Sequence, residues 1–141
     1  MSTPPILGVA HPSIDQQNML LALLSGTVTI ANRIAPPSIA LHEALDQIAA
    51  HIGWPVLHVY LPLDPAQDLL APAPIWHLDS PQKYAHFRHT TDQTYFQPGL
   101  GLVGQVQATA RPIWAPDVAT EPRFIRRHAG SDLGVHAGIL F

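Results

Sequence analysis

Cysteine is missing from this chain of 141 residues. Its absence removes disulfides, thiolate zinc sites, thiol catalysis and thioether-linked chromophores together, and it fits a reducing compartment. Charge is scarce as well: charged residues make up 12% of the chain, and the net charge is −3 with neutral histidines. No basic footprint for nucleic acid or an anionic membrane exists. Long hydrophobic runs are also lacking. The most apolar stretch, Met19 to Leu24, falls far short of the ~20 residues needed to cross a bilayer. Met1 to Ser13 has neither the basic start nor the apolar run of a signal peptide. These absences lead to the expectation of a cytoplasmic protein that binds no nucleic acid and inserts into no membrane.

What the chain does have is apolar content, 47% of its residues, which argues against intrinsic disorder. Its length fits one domain, and neither an internal repeat nor a second domain is visible. Pro4, Pro5, Gly8 and Pro12 mark residues 1–13 as a disordered lead-in. From Asp15 to Ala35 the spacing becomes helical, with Leu21, Leu24, Val28, Ala31 and Ala35 forming one apolar stripe. Gly26, Thr27 and Thr29 weaken that helix, and Pro36-Pro37 stops it. A second helix is expected from a Ser38 N-cap to Gly53, burying Leu41, Leu45, Ile48 and Ile52.

An alternating strand follows over Val56 to Leu61, with Leu57, Val59 and Leu61 on one face and Val56, His58 and Tyr60 on the other. Pro62 and Asp64-Pro65 are expected to close it, leaving Pro62 to Pro74 partly loop. A second strand covers Ile75 to Leu78. Pro81 opens a short helix through Thr91 carrying Tyr84, Phe87 and Arg88. Gln97 to Val106 is a glycine-punctuated turn leading into a helix that ends near Ala110. Pro112 to Ala115 is a strand, Glu121 to Asp132 a helix, and Val135 to Phe141 strand-like. Such an order gives an α+β or mixed α/β class.

The motifs are weak as chemistry. The glycine run lacks the Gly-Lys-Ser/Thr ending of a phosphate loop, and it does not follow the first strand of a βαβ unit as a dinucleotide fingerprint should. Gly99, Gly101 and Gly104 instead suit a tight turn and close packing. Nine histidines are present, yet His86 and His89, three apart, supply only two of the four ligands of a structural zinc site. No nucleophile elbow surrounds a serine, and the carboxylates are scattered, so no enzyme is expected. Trp76, Phe87, Tyr95, Phe96, Trp114 and Phe124 are compatible with core packing and with an aromatic-lined ligand pocket. His58 and His77 are its polar tips in the second reading.

The runs Trp76-His77, Tyr84, Phe87-Arg88 and Gly99-Leu100-Gly101-Leu102-Val103-Gly104 resemble the middle of a GAF domain. So do Arg111 to Val118, Pro122-Arg123-Phe124 and Gly134 to Gly138. The resemblance spans residues 38–141 and is nearest to the GAF domains of bacterial sensor histidine kinases and diguanylate cyclases. It implies an α+β fold: an antiparallel sheet with amphipathic helices on one face and a crossover-enclosed pocket on the other. It also implies a sensor in a two-component or related system that binds a small molecule, forms a homo-oligomer and signals to a kinase or cyclase output domain. Residues 14–37 would form a linker or dimerisation helix, with packing onto its own sheet as the alternative.

Departures from the family narrow the ligand. The Asn-Lys-Phe-Asp-Glu motif of the cyclic-nucleotide subgroup is missing. Without cysteine, neither covalent bilin attachment nor methionine sulfoxide reduction is available. A non-covalent haem held by a histidine such as His58, His77, His86 or His128 stays open. Family members also continue past the run ending at Phe141 into further strands and a closing helix, so the chain is expected to be a fragment with an open sheet edge that favours association. The competing class is a structural dimerisation module without a ligand.

Overall fold

The structure is a computed structural model describing residues 13–32, 35–64, 66–130 and 135–141. Helix α1 (Ile14–Ala31) starts at Ser13. The Ser13 hydroxyl accepts from the Gln16 backbone N–H, and the Gln16 side chain accepts from the Ser13 N–H. This capping box satisfies two of the donors that a helix start otherwise leaves unpaired. The helix stops at Ala31, short of the expected Ala35; residues 33 and 34 lie outside the described residues. Helix α2 (Pro37–Ile52) takes Pro36 as its N-cap, so the expected cap, Ser38, sits inside the first turn. Proline is well suited to that first turn because its missing N–H would have had no partner there. Gly53 ends the helix in the left-handed conformation, φ 71°, as its placement predicts.

Helices α1 and α2 form one compact unit. Within it α1 turns Leu23, Gly26 and Ile30 inward, and a Cβ on Gly26 would meet the Gln47 side chain of α2. The glycine thus sits on the side of α1 that approaches its neighbour. The expected stripe of Leu21, Leu24 and Val28 is exposed instead. On α2, Leu45 and Ala49 are buried, whereas the expected core residue Ile52 is exposed.

From Trp54 onward the chain forms a second unit. Strands β1 (Val56–Asp64) and β2 (Gln67–Leu78) make a long antiparallel hairpin, with Val56 opposite Leu78, His58 opposite Trp76 and Tyr60 opposite Pro72. The segment expected to be partly loop is therefore mostly strand. Leu70 donates its N–H to the Phe96 carbonyl. Pro72, two residues on, directs its nitrogen to that same outer edge, where no ladder bond to β1 is required. Pro74 falls in the register shift between the His58 and Tyr60 pairs.

Helix α3 (Ala85–Asp92) and helix α4 (Gly101–Thr109) follow, then β3 (Ile113–Ala115), the short α5 (Arg127–Gly130) and β4 (Gly138–Leu140), which pairs antiparallel with β3. Of the helix expected from Glu121 to Asp132, only α5 forms, residues 121–126 make turns instead, and residues 131 and 132 lie outside the described residues. Phe124, Arg127 and Ala129 donate to the carbonyls three residues back. The Glu121 carboxylate accepts the Arg123 backbone N–H, a local bond that competes with helix formation. The core of this unit gathers Trp76, Phe87, Leu102, Ala115, Val118, Phe124 and Ala129. Its class is α+β with antiparallel pairing, as expected.

Candidate functional site

Strand alternation puts His58 and Tyr60 on one face of β1. There the His58 ring stacks on Trp76, centroids 3.9 Å apart, and meets Tyr60 edge-on at 4.8 Å. Tyr60 in turn meets Phe96 edge-on at 5.1 Å, Trp76 meets Phe87 at 6.5 Å, and Phe87 stacks with Phe124 at 6.4 Å. The rings close around a cation. Arg126, only 8% exposed, holds its guanidinium carbon 5.2 Å from the Phe124 centroid, 5.3 Å from Phe87 and 5.6 Å from Tyr60 and Phe96.

Its Nη1 donates to the Thr91 hydroxyl at 2.8 Å and to the Tyr60 hydroxyl at 3.3 Å. Among the described residues no ion pair joins Arg126 to a carboxylate. Burial lowers its pKa, and the neighbouring Tyr60 opposes that shift. Burial likewise raises the pKa of Tyr60.

His58 is pushed down to about 4, first by burial and only partly offset by its bond to the Ala73 carbonyl. Nε2 lies 2.8 Å from that carbonyl oxygen. A carbonyl can only accept, so Nε2 carries the proton of the neutral ring and Nδ1 keeps a lone pair. That Nδ1 is buried without a partner, as are Trp76 Nε1 and Arg126 Nε. Buried polar atoms are nearly always paired, so three unpaired ones in one ring cluster are unusual.

Five of the sequence-predicted site residues meet here: His58, Trp76, Phe87, Phe96 and Phe124. Three do not. Tyr95 is 48% exposed, and Trp114, 56% exposed, leans on Trp54 at 6.0 Å. His77, next to Trp76 and opposite Leu57, points to the other face of the hairpin. Of the other histidines considered for haem, His86 and His128 are exposed. Among the described residues no group of three or more metal-ligating side chains occurs. Sequence reasoning missed Arg126, Tyr60 and Thr91 as a set. Tyr60 was legible from its alternation with His58, but nothing in the sequence tells Arg126, the buried one, from its neighbours Arg123 and Arg127.

Two surface hollows lie elsewhere. One, of about 380 Å³, is lined by Asp68, Leu69, Gln97 and Pro98, and the other by Trp54, Pro55, Val56, Val135, His136 and Ala137. No described helix is long and apolar enough to cross a membrane.

The chain is similar to the solved structure of the A. aeolicus nlh2 GAF domain in an inactive state. The TM-score is 0.69 at 17% identity, covering 87% of this chain and 69% of that one. No protein-family model matches, and no curated protein does. At that identity the likeness is one of fold: this chain has the fold of a GAF domain.

Proposed function

We propose that this chain is the sensory, non-enzymatic module of a cytoplasmic bacterial signalling protein, binding a small molecule among His58, Trp76 and Arg126. The observation that carries this reading is the trio of buried, unpaired polar atoms, His58 Nδ1, Trp76 Nε1 and Arg126 Nε, within one aromatic cluster. Tyr95, Trp114 and His77 keep no place in the site. The cluster offers stacking and hydrogen bonding, the means of binding. Its parts come from β1, β2, α3 and the turns before α5. A ligand that tightened them would shift the balance between conformations and bias a kinase or cyclase domain attached to it.

A second reading, self-association through residues 14–37, is favoured by the exposure of Leu21, Leu24 and Val28. The two are compatible, since a dimer is a usual way to pass such a signal on.

Native mass spectrometry and an absorption spectrum of freshly purified protein test the sensory reading, followed by a thermal-shift screen of small metabolites. A retained small mass, a Soret band from haem, or a metabolite whose stabilisation disappears in Trp76→Phe supports it. A bare mass, no visible absorption and no stabilising metabolite would leave the purely structural module as the function.

A further inference from the structure

The run of turns that leads into α5 is fastened to the rest of its unit in two unequal parts. The first is firm. Leu102 of α4 donates its N–H to the Arg123 carbonyl at 3.1 Å, and the Arg123 guanidinium donates to the Gln105 side chain at 3.0 Å. Phe124, next in the chain, is buried and stacks with Phe87. The second part, residues 125–130, buries little that is apolar. Ile125 and His128 are exposed, and the buried side chains are those of Arg126 and the small Ala129. The Arg127 and Ala129 N–H groups reach back only three residues, to the Phe124 and Arg126 carbonyls, in the poorer geometry of a tight turn.

Across the fold this second part is anchored by Arg126, whose Nη1 donates to the Thr91 and Tyr60 hydroxyls. The anchor is a poor one. No carboxylate among the described residues pairs with the guanidinium, and its Nε is buried without a partner. Taking a cation out of water costs more than neutral hydroxyls and ring faces offset. The core side chains of the unit are apolar and gain nothing from meeting water, whereas Arg126 gains its hydration. Closed and open positions of this part therefore come close to balance, as in segments that open by themselves.

We propose that residues 125–130 are a lid, hinged at Phe124, that opens as a local unit while the rest of the fold stays intact. Opening withdraws Arg126 from between Tyr60, Phe87, Phe96 and Phe124, whose ring centroids lie 5.2 to 5.6 Å from its guanidinium carbon. The space it leaves is walled by those rings, with the Tyr60 and Thr91 hydroxyls released at its edge. The lid needs no ligand to open, and it supplies the entrance that a buried binding cluster requires.

Native-state hydrogen exchange of the full chain, read residue by residue by NMR at low urea concentrations, tests the lid. The Arg127 and Ala129 amides should exchange at least about a hundredfold faster than those of Leu70 and Phe96, and with little dependence on urea. Leu70 and Phe96 bond each other's backbone at the edge of β2 and report on the fold as a whole. Phenylglyoxal, which reacts with accessible guanidinium groups, should modify Arg126 without urea, more slowly than the exposed Arg88 and Arg111. Arg126→Met removes the charge and keeps an apolar side chain, so it should slow exchange at Arg127 and Ala129 at least about tenfold.

Arg127 and Ala129 exchanging with the rate and urea dependence of Leu70 and Phe96 would mean that these residues open only with the whole fold, and the lid would be overturned. Phenylglyoxal reaching Arg126 only in urea that unfolds the chain would overturn it too, since backbone fraying alone leaves the guanidinium buried. Faster exchange in Arg126→Met would make Arg126 a clasp and overturn the part given to its charge. The first two measurements use the unmodified chain, so they decide even where Arg126→Met fails to fold.

Discussion

The His58 imidazole lies flat against the Trp76 indole, centroids 3.9 Å apart and planes 25° from parallel, because the two residues are direct partners across the β1–β2 ladder. Register alone brings them together, and each leaves one ring nitrogen buried and unpaired. The hairpin thus places a buried acceptor and a buried donor side by side. Arg126, arriving from a run of turns, adds the charge.

The buried His58 should make stability depend on pH below neutrality. Its folded pKa, about 4, lies below the ordinary histidine value. The unfolded chain therefore binds a proton that the native state refuses. Stability from this group is fully present above about pH 6.5, falls as the pH drops through the window down to about 4, and changes no further below it. The loss is on the order of 3 kcal/mol at most. Urea melts at pH 7, 5.5 and 4.5 should show the decline, and His58→Gln should flatten it, leaving only what other groups contribute. An equal decline in both proteins would place the effect elsewhere.

Arg126→Met separates a residue kept for binding from one kept for packing. Methionine fills similar volume without an unmatched charge, so a cation held for a ligand leaves a protein of equal or greater stability, by up to about 2 kcal/mol. A packing role would show the opposite, a loss of about 2 kcal/mol or more from the cation–aromatic and Thr91 contacts. Chemical denaturation of the two proteins without ligand reads the sign directly.

Much of this fold was legible because its signals are local and periodic. Gly53 ended α2 where expected, and the alternation along β1 put His58 and Tyr60 on one face. The failures share a cause in context. Gly26, seen as a helix weakener, lies on the side of α1 that meets Gln47. Pro72 entered a strand because its nitrogen needed no partner on the outer edge. Arg126 had no signature, since four of the five side chains around it are distant in sequence.

Two aromatic residues expected together in the pocket should part ways on substitution. Phe124 is 8% exposed within the core of its unit, so Phe124→Ala should cost about 3–5 kcal/mol. Trp114 is 56% exposed and most of its surface already meets water. Trp114→Ala should cost about 1 kcal/mol or less and leave the Trp76 indole resonance unchanged. Comparable losses at both positions would mean that Trp114 is packed far more tightly than its exposure shows.

Two of the glycines around the start of α4 are needed for different reasons. Gly99 holds φ 81°, which costs an ordinary residue roughly 1–2 kcal/mol, but a Cβ there would meet nothing. At Gly104 a Cβ would run into the Gln97 carbonyl, backbone that cannot turn aside. Gly104→Ala should therefore destabilise by about 2–3 kcal/mol, more than Gly99→Ala. Thermal melts of the two variants check the order, and a reversed order would show that the turn can shift to accept the methyl group.

Self-association through α1 is predicted from the apolar residues that it leaves uncovered. Leu21, Leu24 and Val28 are 61%, 54% and 58% exposed, while Ile30 on the inward side is 5% exposed. Their three- and four-residue spacing is the seam by which two helices pair, and burying the exposed half of a leucine contributes about 1 kcal/mol. Leu21→Glu with Leu24→Glu places like charges on that seam without touching Leu23, Gly26 or Ile30. Sedimentation velocity should find the unmodified chain dimeric at high concentration and the double variant monomeric, with unchanged helical circular dichroism. A monomeric unmodified chain would overturn the dimer, and a double variant that stays dimeric would move the contact away from α1.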